Sequence, residues 1–207
     1  MRFQAVRKRK TDDDLGASLV AGVRARHPHF LDALVEDARI SASYRAERSQ
    51  FRGRADALGQ ALRLMWVSDA FFALACYRAK ARLQALGVPV LPRVAHRLAM
   101  ATSQVCIGDP VVVEPGVYLA HGQVVIDGFV EIGRGAVIFP WVTIGLRAGD
   151  FRGPVLGHDV HVGTGAKVIG PVRVGTRARI GANSVVVDDV ADGITVAGSP
   201  ARPLSSG

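Results

Sequence analysis

Cysteine is nearly absent from this 207-residue chain, which holds only Cys76 and Cys106. Two thiols cannot build a disulfide framework or a four-thiolate zinc site, so reduced thiols in a cytosolic protein are expected. Aromatic residues are also scarce, at 6% of the chain, which leaves little for a core built on rings. No uncharged apolar run reaches the roughly 18 residues of a spanning helix; Arg63, Asp69 and Arg78 interrupt the most hydrophobic stretch. The opening Met-Arg-Phe-Gln lacks the apolar segment of a secretory signal, so a cytoplasmic location is expected. Apolar residues themselves are not lacking: at 49% they exclude a wholly disordered chain, and the length allows one domain or two small ones. What stands in excess is positive charge, +8 overall, and glycine, 23 residues.

The two excesses sit in different halves. Residues 1–104 carry 18 basic and nine acidic side chains with five glycines, a net charge of +9. Residues 105–207 carry eight basic and nine acidic side chains with 18 glycines, a net charge of −1. The first half reads as helices over 12–26, 29–48, 56–86 and 91–104, from acidic starts, helical spacing of apolar residues and Gly or Pro stops. The run Arg7-Lys8-Arg9-Lys10 reads as a solvated basic arm, with no nucleic-acid partner implied.

The second half is a repeat with a period of six. Aliphatic residues recur at Ile107, Val113 and Leu119, then at Ile126, Ile132, Ile138 and Ile144, and again at Leu156, Val162, Val168, Val174, Ile180 and Val186. Glycine follows many of them, as at Gly133, Gly145, Gly157 and Gly163, and a small or β-branched residue comes four positions later. A strand alternates with period two and a helix with 3.6, so neither accounts for six. One flat face of a triangular coil does, with glycine at corners where a positive φ is easier. The register slips by one residue between Leu119 and Ile126. A break at 147–154 reads as a protruding loop, the kind of place where binding loops sit.

Segments 71–115, 117–121 (VYLAH), 162–187 and 196–202 (VAGSPAR) resemble the serine O-acetyltransferases among the hexapeptide-repeat acyltransferases. The resemblance covers about residues 55–203. It implies a helical domain (1–104) followed by a left-handed parallel β-helix (105–207), acetyl-CoA as co-substrate with no metal, and a homotrimer or a dimer of trimers. An alcohol attacking a thioester needs a base, and His121 matches the family's catalytic histidine. An oxyanion donor is expected at Gly145 or Leu146. Matching CoA positions are Gly145, Thr164 and Ala182, with Lys167 and Arg179 toward the phosphates. Neither cysteine has a visible activating base, so direct transfer is expected. The resemblance places Arg152, Asp150 and Asp56 at the acceptor.

The departures bear on the acceptor. Family aspartates are replaced by Cys106 and Ala120, and the second active-site histidine by Gly153. His121 thus lacks its orienting carboxylate unless Glu114 or Asp127 substitutes. On these grounds a sugar or surface-glycan hydroxyl is the favoured acceptor, serine the alternative and a non-catalytic scaffold the rival of another class. The tail Leu204-Ser205-Ser206-Gly207 lacks the terminal isoleucine that docks relatives into cysteine synthase, so that complex is not expected. His158 and His161 do not match the histidine spacing of metal-binding coil relatives, whose positions hold Thr164 and Ile169.

Overall fold

The computed structural model describes residues 22–204 apart from Arg24. The basic run at 7–10 and most of the expected helix over 12–26 lie outside the described residues. The remaining helices are α1 (Phe30–Tyr44), α2 (Arg54–Val67), α3 (Asp69–Ala85) and α4 (Leu91–Ser103). The expected single helix over 56–86 is therefore two. Ser68 breaks it in an extended conformation, and its hydroxyl accepts the N–H of Phe71 to start α3.

From residue 105 the chain winds into three parallel sheets. The first stacks β1 (Val105–Ile107), β4 (Val124–Ile126), β7 (Thr143–Gly145), β10 (Lys167–Ile169) and β13 (Val185–Val186). The second stacks β2 (Val112–Val113), β5 (Phe129–Ile132), β8 (Arg152–Leu156) and β11 (Arg173–Val174). The third stacks β3 (Tyr118–Leu119), β6 (Val137–Ile138), β9 (His161–Val162), β12 (Arg179–Ile180) and β14 (Thr195–Gly198), closed by antiparallel β15 (Ala201–Pro203). Successive strands of the first sheet pair Val105 with Val124, Val125 with Thr143, Thr143 with Lys167 and Lys167 with Val185, steps of 19, 18, 24 and 18 residues. Eighteen is the regular coil. The nineteenth residue is the slip before Ile126, and the step of 24 contains the loop. That loop is shorter than expected, because Arg152–Pro154 already belong to β8.

Every aliphatic residue of the six-residue register is buried, from Ile107 to Val186. The glycine expectation needs correction. Gly133, Gly157 and Gly163 are not at positive φ; a Cβ there would meet the backbone of the next coil, 2.5 Å from the Gly157 carbonyl in the case of Gly133. Positive φ falls two positions later, at Gly135, Asp159, Gly165 and Asn183.

The helices lid the first coil. An open coil end leaves backbone groups without partners, and α3 supplies them. Tyr77 donates to the Val111 carbonyl (2.7 Å), Lys80 to Ile107 (2.6 Å), and Arg78 to Val113 and Glu114. Arg78 also forms a buried pair with Asp37 of α1 (2.9 Å), whose carboxylate accepts the N–H groups of Gly116 and Val117. This docking fixes where α3 begins, and its first turn stands over the corner between β3 and β4.

Candidate active site

That corner, residues 120–123, carries the extra residue. Gln123 takes a positive φ of 56° and donates its N–H to the carbonyl of Ser103, the last residue of α4 (2.9 Å). Gly122 is pressed against the same carbonyl and has no room for a Cβ. The clamp turns His121 outward, where it is exposed. It lines an open cavity of about 470 Å³ together with Gln123 and Trp141 from the coils, Ser68 and Asp69 from α3, and Arg45 after α1.

Trp141 forms the corresponding corner one coil further on. Its φ is +65°, costly for a bulky side chain, and it is 60% exposed. Its N–H bonds the Gln123 carbonyl (2.8 Å), and its own carbonyl accepts Lys167 Nζ (2.8 Å). Lys167 also bonds the Gly165 carbonyl (2.8 Å), so two of its three donors are spent holding corners. Thr164 and Ala182 are exposed at the next two corners of the same edge. With coils about 4.8 Å apart, this edge runs about 14 Å from His121 to Ala182.

Other expected residues lie elsewhere within the chain. Gly145 ends β7 and Leu146 follows it, at the opposite end of the first sheet from His121, so neither reaches the cavity. Parallel strands put all corners of one kind on one edge, and 121 and 145 are corners of different kinds. For the same reason Asp127 is no partner of His121: it bonds the Gly128 N–H (2.9 Å) and lines a separate cavity of about 640 Å³ with Lys80, His96, Cys106 and Asp109. Glu114 sits at the third edge, accepting the Arg134 N–H and lying 3.4 Å from His158. Arg152 closes on Asp150 (2.8 Å) in the loop, and that hydrogen bond pulls the Asp150 carboxyl down to about 2. Asp56 pairs with Arg48 (2.6 Å) away from the cavity, held below the usual carboxylate range first by that hydrogen bond and then by the Arg52 N–H. Arg179 projects from the third sheet beside His161, whose imidazole is lowered by burial and then by that guanidinium. Burial pushes both the Cys76 and Cys106 thiols up.

Asp69, Arg45 and Trp141 are not among the site residues expected from the sequence. Ser68-Asp69 is a helix-start signal inside an apolar stretch, and Trp141 occupies a corner where the neighbouring coil has Gly165; both signals were there to read.

No family model matches the chain. The serine acetyltransferase of Helicobacter pylori is 37% identical over 137 residues, covering 64% of this chain and 80% of that protein. The chain belongs to the serine acetyltransferase family. The serine acetyltransferase of Synechococcus elongatus is 36% identical over 137 residues, but only 56% of that protein is covered. A serine acetyltransferase solved in complex with CoA superposes with a TM-score of 0.70 at 25% identity, covering 90% of this chain and 74% of that one. The family fold, helices followed by a left-handed β-helix of hexapeptide repeats, is the one expected from the six-residue period together with the resemblance, which supplied the handedness.

Proposed function

We propose that the protein transfers an acetyl group from acetyl-CoA directly to an acceptor hydroxyl, with His121 as general base. The observation that carries this is His121 itself, turned out at an open corner with an acceptor-sized cavity beside it and the exposed edge of Thr164 and Ala182 below. The imidazole takes the hydroxyl proton as the oxygen attacks the thioester carbonyl. The tetrahedral oxyanion then collapses, the C–S bond breaks, and the leaving thiolate takes the proton from the imidazolium. Thiols pushed up by burial offer no nucleophile for a covalent intermediate, which favours direct transfer.

Serine is the acceptor that the relatives support, ahead of the sugar hydroxyl that the sequence alone favours. One observation speaks for the sugar: the exposed indole of Trp141 is an apolar platform of the kind that sugar rings stack on. The assembly proposed is a trimer, in which the loop between β7 and β8 of one chain, flanked by Gly145, Leu146 and Arg152, faces the His121 edge of its neighbour. The location proposed is cytoplasmic, where acetyl-CoA is made available. No described helix is long and apolar enough to cross a membrane.

The test is thiol release from acetyl-CoA by the purified protein, with L-serine and a panel of sugars as acceptors. His121→Ala is expected to lower the acceptor-dependent rate by about 10²- to 10⁴-fold. An unchanged rate would remove His121 from the chemistry.

A further inference from the structure

The cavity beside His121 holds two charged side chains that the helical half supplies. Asp69, the first residue of α3, lines it from one side, and Arg45, the residue after α1, also borders it. Among the described residues the Asp69 carboxylate has neither an ion-pair nor a hydrogen-bond partner, although the helix start is already capped by Ser68. An acidic residue in a first turn is favoured by the helix dipole. That accounts for stability, not for an unpartnered carboxylate beside the cavity that His121 also lines.

Arg45 is placed by Glu47, which accepts its Nε–H at 3.0 Å. The same carboxylate also accepts Arg63 at 2.6 Å, and these hydrogen bonds, Arg63's foremost, hold it below its usual range. Two guanidinium groups on one carboxylate leave a net positive charge. The terminal nitrogens of Arg45 make no hydrogen bond among the described residues, and a guanidinium fork suits a second carboxylate.

An acid, a free guanidinium fork and a histidine around one cavity match the three groups of a β-hydroxy-α-amino acid. We infer that Asp69 takes the acceptor's ammonium group and Arg45 its carboxylate, which leaves the hydroxyl at His121. The inference rests on the serine reading above and assigns its selectivity to two residues of the helical half. Both lie outside the positions, Arg152, Asp150 and Asp56, at which the resemblance places the acceptor contacts.

The experiment compares three acceptors under saturating acetyl-CoA: L-serine, 3-hydroxypropionate, which lacks the ammonium, and ethanolamine, which lacks the carboxylate. In Asp69→Asn, the ratio of kcat/KM for serine over 3-hydroxypropionate is expected to fall about 10- to 100-fold, mostly through KM, the range expected for a lost charge-assisted contact. In Arg45→Gln, the ratio for serine over ethanolamine is expected to fall by a similar factor. Asp69→Glu, which keeps the charge, should recover part of the first ratio. Circular dichroism and thermal melts of the variants separate these effects from misfolding. If the wild-type protein acetylates serine and both ratios stay put in the variants, this assignment is overturned while the activity stands. If the wild-type protein acetylates sugars and not serine, the serine reading fails first and the assignment goes with it.

Discussion

Gly133 needs the absence of a side chain, whereas Gly193 needs freedom of φ. A Cβ on Gly133 would press on the backbone of Gly157 and His158, while Gly193, at φ +68°, has open space around it. Backbone cannot move aside as a side-chain tip can. Gly133→Ala is therefore expected to cost about 2–3 kcal/mol and Gly193→Ala about 1 kcal/mol, read from urea unfolding. The reverse order would mean that the coils spread more easily than their hydrogen-bonded stacking implies. That glycine marks the repeat was legible in the sequence, but its reason was misread, because period alone does not distinguish a corner from a close approach. At Trp141 the same φ +65° is borne by an indole, and such strain is kept where the side chain serves a site. The exposed indole on the wall of the His121 cavity fits that account.

At the scale of elements, α3 matters most. Its exposed start helps to form the candidate site, and its buried middle seals the coil end through Tyr77, Arg78 and Lys80. Sequence periodicity located the apolar stretch but ran α2 and α3 together, since Ser68 interrupts the helix without interrupting the hydrophobicity. The segment before α1 packs on the same helix: the His27 ring meets Tyr77 edge-on at 6.1 Å, and its buried Nδ1 has no partner among the described residues. Burial lowers the His27 pKa from 6.5 to about 4, with further lowering from Arg78, Lys80 and Arg26. The unfolded chain therefore takes up this proton near pH 6.5 and the folded chain only near pH 4, so stability is full above 6.5 and is lost as pH falls between those values. Because the ring is partly exposed, the expected loss is on the order of 1–2 kcal/mol rather than the ~3 kcal/mol of the full shift. Urea midpoints at pH 7.5 and pH 5 should differ less in His27→Phe than in the wild-type protein. An equal difference would clear His27 of the effect.

Over the whole molecule, the helices and coils share a core. One cluster joins Ala70, Leu74 and Tyr77 of α3 to Ile107, Val113 and Leu119 of the first coils, while a smaller one, with Leu34, Leu64 and Phe71, lies among the helices. Shared burial predicts that the halves unfold together. The two tryptophans report on this, because Trp66 lies on α2 and Trp141 in the coils. Trp66→Phe and Trp141→Phe proteins are expected to show fluorescence transitions with coincident urea midpoints; a gap of more than about 0.5 M would indicate two independent units. The sequence by itself determined the coil. A six-residue period of aliphatic residues is a one-dimensional signal, each repeat meeting only its neighbours, so the stacking follows from the spacing. The resemblance carried by VYLAH at 117–121 is what singled out His121. Only the tertiary structure decided what surrounds that histidine. Asp69 and Arg45 come to its cavity through the docking of α3 on the first coil. Asp127, Glu114 and Gly145, close in sequence or register, are carried to other edges by the triangular winding. Contacts between helix and coil depend on how two surfaces meet, and no local pattern in the chain records that.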